Sequence, residues 1–329
     1  MPDVKSLERE VAAFTEGCLA LERALASAVV GQQATLDHVI TALLAGGHVL
    51  LEGAPGLGKT LLVRSLADAV DLTFSRVQFT PDLMPADITG TNVVVDDPKV
   101  GRTFRFQAGP LFANLVLADE INRTTPKTQS ALLEAMQEGS VTVAGIPHHL
   151  PDPFMVLATQ NPIDMEGTYP LPEAQLDRFV MKILVPFPQA SDLAKVLDLT
   201  TGSHVQKVAR VLSKESLATF RALVREVILA PPMRDLAVQL TMATHPSTPD
   251  APPSVKKFVR HGASPRGAQA LVACAKVRAL RLGRAHVDSS DIKAMVLPTL
   301  RHRLILNFEG EAEGLASDRI LADVLQSRP

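Results

Sequence analysis

Residues 53–60 match the phosphate-binding pattern G-x-x-x-x-G-K-[ST] at every fixed position. Glycines let backbone N–H groups crowd around phosphate oxygens, and a helix that follows adds the partial positive charge of its N-terminus. Lys59 is expected to reach the β- and γ-phosphates, and the Thr60 hydroxyl to bind Mg²⁺. The segment therefore predicts a nucleotide-binding loop. The loop residues expected to contact the nucleotide are Gly53, Ala54, Pro55, Gly56, Leu57, Gly58, Lys59, Thr60 and Leu61.

Two adjacent carboxylates, Asp119 and Glu120, follow the apolar run 115–118. An acidic residue at the carboxyl end of a strand beside a phosphate loop can hold Mg²⁺, and for Asp119 we expect this through water. Glu120 would then orient and deprotonate the water that attacks the γ-phosphate. Without the loop, two acids after a strand would indicate only a turn. With it, they predict hydrolysis of a nucleoside triphosphate.

Three further polar residues are candidates for the same reaction. Asn161 follows the apolar run 154–159 and could hydrogen-bond the γ-phosphate or the attacking water, or simply form a turn before Pro162. An arginine that meets the γ-phosphate in the transition state raises the rate by orders of magnitude, and Arg178 and Arg266 could do this. Most arginines, however, lie on surfaces or in helix ion pairs. Position in the sequence leaves both alternatives open for all three residues.

The elements that must position these residues follow from hydrophobic spacing. Alternation of strands and helices as far as residue 188 predicts an α/β fold with a parallel, doubly wound sheet. Residues 189–329 have helical patterns without a convincing strand, and the Pro-rich piece 246–253 is typical of a loop. We therefore expect two domains, 1–188 and 189–329. The predicted strands are 48–51, 73–79, 115–118, 154–159 and 180–185; the predicted helices are 5–28, 33–45, 61–70 and 126–138; and the predicted hairpins are 91–106 and 140–150.

Composition narrows the class of protein. Hydrophobic residues make up 46% and charged residues 21% of the chain, which is typical of a globular protein rather than a disordered one. The net charge of −2 gives no sign of a general nucleic-acid-binding surface. Two cysteines, Cys18 and Cys274, and a start without an apolar core predict a cytoplasmic protein without a signal peptide or membrane span. The neighbouring His148 and His149 lack further metal ligands at suitable spacing, so they indicate exposed hairpin residues.

The order of these motifs resembles the MoxR-type AAA+ ATPases, in the clade with a hairpin inserted in helix 2. The resemblance extends from residue 29 to about residue 302. It implies an AAA+ P-loop sheet with helices on both faces, followed by a small all-α lid domain. The most specific segments are RVQFTPDLMPAD at 76–87, LADEINR at 117–123, PKTQSALLEAM at 126–136, ATQNP at 158–162 and LPEAQLDRF at 171–179.

The resemblance also implies roles for individual residues. Val30 and Gly31 would lie near the adenine. Asn161 takes the position of sensor 1, and Arg178 that of the arginine finger offered to the neighbouring subunit. Arg266 takes the position of sensor 2 on the lid, and the resemblance does not say whether it acts on its own subunit's nucleotide or on a neighbour's.

At the level of the whole protein, the resemblance implies a homo-oligomeric ring, expected to be a hexamer, that hydrolyses ATP with Mg²⁺ and remodels a client protein. The hairpins at 91–106 and 140–150 match the helix-2 insert and the pre-sensor-1 insert, which face the pore or the axial face of related rings. A von Willebrand factor A domain protein, as a separate chain, is the expected partner.

Other functions stay open at this point. A magnesium-chelatase-like motor subunit would share the mechanism and differ only in its partner. A nucleic-acid motor would need a basic stripe on the hairpins, for which Lys99, Arg102 and Arg105 are weak support. A switch that binds ATP without hydrolysing it is disfavoured by Glu120 and Arg178.

Overall fold

A five-stranded parallel sheet forms the centre of the computed structural model, which describes residues 4–98, 101–161, 168–201 and 208–328. Its strand order is β2-β5-β8-β1-β9, and all neighbouring pairs run parallel. The five strands are β1 (His48–Glu52), β2 (Phe74–Gln78), β5 (Leu115–Asp119), β8 (Met155–Gln160) and β9 (Phe179–Leu184). All five predicted strands are present, and the prediction of a parallel sheet is confirmed.

Side chains on β1 alternate between the two faces of this sheet. Val49 and Leu51 join one buried cluster and Leu50 joins another. The first cluster is covered by α1, α2 and α3 together with helices from the C-terminal part, and the second by α4 and α5. Helices therefore lie on both faces, as expected. The first helices are α1 (Val4–Ala28), α2 (Gln33–Ala45), α3 (Lys59–Ala69), α4 (Pro85–Thr89), α5 (Pro126–Glu138), α6 (Glu173–Leu176) and α7 (Ala190–Thr201), and a 3₁₀ turn spans Ile121–Arg123.

The C-terminal part is mainly helical, and α11 runs through its centre. This helix packs on α12, α9 and α8, and also on α1 and α2 from the start of the chain. One hydrophobic cluster therefore includes residues of the sheet, the N-terminal helices and the C-terminal helices. The helices are α8 (Lys214–Glu226), α9 (Pro231–Met242), α10 (Pro253–Phe258), α11 (Pro265–Arg281), α12 (Ser289–Leu300), α13 (Phe308–Ala312) and α14 (Ser317–Gln326).

One short strand pair among these helices was not predicted. β10 (Val259–His261) pairs antiparallel with β11 (Ile305–Leu306). With two or three residues each, these strands are too short to show an alternating pattern in the sequence. The predicted loop at 246–253 ends where α10 begins, at Pro253, a residue well suited to the first turn of a helix.

Two hairpins project from the sheet. The first consists of β3 (Gly90–Asp97) and β4 (Gly101–Ala108), and the second of β6 (Ser140–Val143) and β7 (Ile146–His149). They touch through Phe106 and His148, whose rings stack with centroids 3.8 Å apart. Phe106 also meets Phe112 edge-on at 5.4 Å. His148 was expected to be a solvated residue, but the stacking makes it a contact between the hairpins. Lys99, between β3 and β4, lies outside the described residues.

No helix in the described ranges combines the length and the apolar character that crossing a membrane requires.

Candidate nucleotide-binding site

The phosphate loop joins β1 to α3. Gly56 and Gly58 have φ of 79° and 74°, a left-handed conformation that glycine adopts without strain. Gly53 lies where a Cβ would come within 2.8 Å of the Val185 carbonyl oxygen, so the loop can start only with glycine. Because α3 begins at Lys59, the first N–H groups of this helix are not used by the helix itself. They can therefore bind an anion such as a phosphate.

Lys59 folds back over this loop. Its Nζ donates a hydrogen bond of 2.7 Å to the Gly53 carbonyl oxygen. Burial lowers the pKa of the Lys59 ammonium, and the nearby carboxylates of Asp119, Glu120 and Glu52 oppose that shift. The Lys59 ammonium therefore lies near both the carboxylate predicted to hold Mg²⁺, Asp119, and the carboxylate predicted to be catalytic, Glu120, although their segments are separated in the sequence.

The Asp119 carboxylate is held on both sides at the end of β5. Its Oδ1 accepts a hydrogen bond of 2.7 Å from the Thr159 hydroxyl, and its Oδ2 lies 2.7 Å from the Arg76 guanidinium. These contacts follow from the strand order, because β5 runs between β2, which carries Arg76, and β8, which carries Thr159. The carboxylate is thus oriented by side chains of the two neighbouring strands.

Glu120 is held by the neighbouring strand and the 3₁₀ turn. Its Oε2 accepts a hydrogen bond of 2.8 Å from Gln78 and lies 3.2 Å from the Arg123 guanidinium. Its backbone is left-handed, with φ of 58°, and its N–H donates to the Thr159 hydroxyl at 2.8 Å. Glu120 is therefore turned toward β2 in this structure.

Asn161 follows β8 and is buried, with 6% of its surface exposed. β8 lies between β5 and β1, so its carboxyl end meets both the carboxylates and the loop. The Gly53 N–H donates to the Gln160 carbonyl oxygen at 3.3 Å and ties the start of the loop to this strand end. The structure thus brings Asn161 to the same edge as Lys59, Asp119 and Glu120. We call this the phosphate-loop edge.

An apolar cavity of about 320 Å³ adjoins the loop. Val30 lines it, and its place near the adenine stays a prediction. Gly31 lies against α7, where a Cβ would come within 2.7 Å of the Asp192 Cβ. A purine needs apolar walls, and this cavity supplies them next to the phosphate site. The other walls come from the loop, α3, α7 and the segment before α7: Leu57, Leu61, Phe187, Pro188, Leu193, Val196 and Leu199.

The residues predicted to bind Mg²⁺ fit that ion. Thr60 lies in the first turn of α3, and Asp119 ends a strand of the sheet that also carries the loop. Within the ranges that the structure describes, no cluster of three or more His, Cys, Asp or Glu side chains could cage a metal. Mg²⁺ bound to nucleotides takes one or two protein oxygens together with phosphates and waters, so a hydroxyl and a carboxylate suit it.

Arg178 lies at the opposite edge of the sheet. It precedes β9, which runs parallel to β1 with Phe179 opposite His48, whereas the loop follows the other end of β1. β1 has five residues and so separates the two edges by about 15 Å. One nitrogen of the Arg178 guanidinium donates to the Leu133 carbonyl, while its Nε is buried without a hydrogen-bond partner among the described residues.

Arg266 lies beside Arg178 rather than beside the loop. It begins α11, and its exposed side chain makes no hydrogen bond or ion pair with the described residues. Arg178, Arg266 and Arg303 line one cleft of about 310 Å³. We call this side of the molecule the arginine edge. Each predicted site residue therefore falls into one of two groups, and the two groups do not meet within one chain.

Two protein-family models match this chain. Residues 48–181 match the family model described as "ATPase family associated with various cellular activities (AAA)", and residues 254–324 match the AAA lid domain. The chain is 40% identical to Chaperone MoxR1 of Mycobacterium tuberculosis over 311 residues, which is 93% of this chain and 81% of the relative. This chain belongs to the MoxR family of AAA+ ATPases.

Other relatives of this MoxR-family chain have similar length. YeaC of Bacillus subtilis is 43% identical over 91% of the chain and 90% of its own length. Protein MoxR of Methylorubrum extorquens is 32% identical over 87% of the chain and 86% of its own length. A crystal structure of a candidate ATPase from Cytophaga hutchinsonii, 38% identical, superimposes with a TM-score of 0.91 over 98% of both chains. The predicted family and fold are confirmed.

Sequence reasoning missed several residues that shape the site of this MoxR-family chain. Arg76 holds the Asp119 carboxylate, and Gln78 holds the Glu120 carboxylate. The Thr159 hydroxyl connects these two residues, because it donates to the Asp119 carboxylate and accepts from the Glu120 backbone N–H. Phe187 walls the apolar cavity. Alternation on β2 placed Arg76 and Gln78 on one face of a strand, but nothing in the sequence indicated that β2 lies beside β5.

Proposed function

We propose that this chain hydrolyses ATP to ADP and phosphate in a homo-oligomeric ring, in which two subunits complete each active site. The observation that carries the proposal is the separation of the two edges. Arg178 and Arg266 lie across the sheet from their own phosphate loop, so they can meet a γ-phosphate only on a neighbouring subunit. Such a site requires association, and copies that associate through two different faces form a ring when the rotation from one copy to the next closes.

The chemistry assigned to the phosphate-loop edge follows its geometry. Lys59 exchanges its hydrogen bond with Gly53 for the β- and γ-phosphates, and the N–H groups at the start of α3 bind the same anion. Glu120 leaves Gln78, orients the attacking water and accepts its proton. Asn161 donates to that water or to the γ-phosphate.

Thr60 and Asp119 would hold Mg²⁺, Asp119 through water, and the bound ion would neutralise charge on the phosphates. From the neighbouring subunit, Arg178 and Arg266 approach the γ-phosphate and stabilise the charge that spreads over its oxygens in the transition state. The assignment of Arg266 to the neighbour's nucleotide rests on its position next to Arg178.

We propose that the ring acts on a protein client. Val94 and Phe104 are paired across the first hairpin, and both are exposed, Phe104 at 77%. An exposed apolar pair suits contact with a polypeptide better than contact with a phosphate backbone. A von Willebrand factor A domain protein as partner, and six subunits per ring, stay predictions from the family resemblance.

A nucleic-acid motor is the second candidate, and one observation bears on it. Arg102, which was weak support for that function, lies opposite Asp96 and forms an ion pair with it at 3.4 Å. This pairing reduces the net positive charge of the hairpin. Fluorescence anisotropy with labelled single-stranded and double-stranded DNA at low salt distinguishes the candidates, since a motor of this kind would bind DNA with a steep dependence on salt. A magnesium-chelatase-like subunit would differ from our proposal only in its partner.

The test of the shared site is ATPase activity measured against protein concentration, with oligomeric mass followed in parallel. We expect the activity per subunit to rise over the concentration range in which rings form. Maximal activity in a monomer would mean that one chain completes its own site, and the proposal would be wrong.

The domain boundary and the cellular location stay predictions. We propose the domain boundary between residues 188 and 189, immediately before α7, although one cluster of buried side chains continues across it. The cytoplasmic location stays an expectation from cysteine content.

A further inference from the structure

Asp177 occupies the centre of the arginine edge. It directly precedes Arg178, and its carboxylate oxygens lie 2.7 and 2.9 Å from the hydroxyl of Ser264, which donates to them. The same hydroxyl oxygen accepts a hydrogen bond of 3.1 Å from the backbone N–H of Arg266 and so caps α11. One carboxylate therefore connects the residue before Arg178 to the turn of helix that carries Arg266.

Arg303 completes this connection from the helical part. Its Nε donates to the Asp177 carboxylate at 2.8 Å, and its Nη2 donates to the backbone carbonyls of Asp177 and Phe179 at 3.0 and 2.8 Å. Only 6% of Arg303 is exposed. A guanidinium this deeply buried needs a counter-charge, and removing the partner of a buried charge is strongly destabilising. The three residues Asp177, Ser264 and Arg303 form a unit that we call the Asp177 network.

The balance of charge in the cleft gives this network a second consequence. Asp177 is the one acidic side chain among the described residues that line the cleft with Arg178, Arg266 and Arg303. Its carboxylate is taken by Arg303 and Ser264, and neither Arg178 nor Arg266 forms a side-chain contact with it in the structure. Among the described residues, neither arginine is paired with a carboxylate, although Arg178 donates to the Leu133 carbonyl. A carboxylate that paired with either of them would compete with a phosphate.

We propose that Asp177 is a positioning residue that sets the relative placement of Arg178 and Arg266, so that both reach a neighbour's γ-phosphate as one unit. The inference rests on the proposed shared active site and adds a residue to it. Asp177 acts through Ser264 and Arg303, and it does not touch the nucleotide itself. The geometry of two cationic groups matters because misplacement by about 1 Å can cost on the order of 100-fold in rate.

A nearby ion pair supplies the matched control. Arg260, also in the helical part, pairs with Glu173 at 2.9 Å, and both side chains are more than half exposed. This pair joins the same two regions of the chain, and its two side chains make no hydrogen bond or ion pair with Arg178, Arg266, Asp177, Ser264 or Arg303. The backbone carbonyl of Glu173 accepts the Asp177 N–H at 3.1 Å, a contact that a change of the Glu173 side chain leaves in place. A variant that only weakens the attachment of the helical part is therefore available in Glu173→Gln.

The experiment compares Asp177→Asn, Ser264→Ala, Ser264→Thr and Glu173→Gln with the wild-type ring. ATP affinity, oligomeric mass, KM and kcat are measured for each. We expect Asp177→Asn to keep ATP affinity and ring mass while kcat falls 10- to 100-fold. Ser264→Ala should lower kcat by a smaller factor, Ser264→Thr should restore it because threonine keeps the capping hydroxyl, and Glu173→Gln should leave it unchanged.

A double mutant separates positioning from general damage. In an Arg266→Ala background, Asp177→Asn should cost less than it does alone, because one of the two groups that it places is absent. If Asp177→Asn lowered kcat in the Arg266→Ala background by the same factor as it does alone, the inference would be overturned. It would also be overturned if Asp177→Asn lost ATP affinity and ring mass while kcat stayed at the wild-type value. Should Asp177→Asn fail to fold, the Ser264 pair decides, since Ser264→Ala leaves the Arg303 ion pair in place.

Failure of the shared site would be visible separately. If Arg178→Ala and Arg266→Ala both kept wild-type kcat, the proposed function would be wrong and the positioning role with it. If these two variants lost activity while Asp177→Asn and Ser264→Ala did not, only the positioning role would be overturned.

Discussion

The phosphate-loop edge and the arginine edge are built in different ways. At the first, one loop and the ends of three strands supply the groups, and parallel pairing alone brings them together. At the second, Arg178 belongs to the sheet part and Arg266 to the helical part, and they meet through Asp177, Ser264 and Arg303. The first edge is thus defined by the sheet, whereas the second depends on how two parts of the chain are joined.

This difference has a functional consequence. Groups fixed by the sheet stay in place when the helical part moves. Groups fixed by a contact between two parts are sensitive to any movement of one part against the other. For the shared site that we propose, the rate therefore depends on the contacts that join the two parts of the chain at the arginine edge.

The largest effect is expected at the phosphate-loop edge, from Lys59→Ala. The ammonium is the cation of the loop, so its loss should reduce ATP affinity by at least about 100-fold. Isothermal titration calorimetry with ATP and Mg²⁺ measures this. Lys195→Ala serves as control, because the Lys195 side chain is exposed and its ion pair with Asp192 lies within α7. Unchanged ATP affinity in Lys59→Ala would refute the site.

Arg178→Ala should bind ATP normally and lose about 10³-fold in kcat, the lower range for an arginine that acts across an interface. Mixing it with Glu120→Gln subunits should restore part of the turnover. Such rings contain interfaces where an intact Glu120 faces an intact Arg178. Stable mixed rings without any recovery would place Arg178 in its own subunit's site.

Arg266→Ala should have the smaller effect of about 10- to 100-fold on kcat, since one of two cationic groups remains. The same mixing experiment sharpens the comparison between the edges. Recovery with Glu120→Gln subunits is expected if Arg266 acts on the neighbour, as its place beside Arg178 indicates. If Arg266 served its own nucleotide, no interface in the mixed ring would be complete, and activity would stay low.

The smallest effect is expected on the free energy of unfolding, and it concerns His48, which lines the cleft at the arginine edge. His48 accepts the Val156 N–H at Nδ1 and donates from Nε2 to the Met136 carbonyl, both at 3.0 Å, so its ring is neutral. Burial lowers its pKa from 6.5 to about 4.

The unfolded chain therefore binds the proton first, and stability should fall as the pH drops from 6.5 toward 4, by at most about 3 kcal/mol. Urea unfolding at pH 7 and pH 4.5 measures the loss. The buried His302 also has a lowered pKa and contributes to the same loss of stability. The His48→Gln variant should lose less stability between pH 7 and pH 4.5, and the difference from the wild type is the contribution of His48. Equal pH dependence in both proteins would contradict this assignment.

Much of the fold was predictable because its signals are local. Apolar runs marked four strands of the sheet, alternation marked β2, and Pro126 marked the start of α5. The short strands β10 and β11 were missed because a pairing of two or three residues leaves no periodic pattern. His148 was misjudged for a related reason: its stacking partner, Phe106, lies on another hairpin.

The phosphate loop, the pair Asp119 and Glu120, and the family could be identified from the amino-acid sequence alone, since each depends on residues that are close together along the chain. The tertiary structure decided which side chains hold those carboxylates, because Gln78 and Arg76 reach them only through the order of strands. It also decided that Arg178 and Arg266 share one edge away from their own loop. A motif fixes chemistry through local spacing, whereas the distance between remote segments is fixed by packing alone.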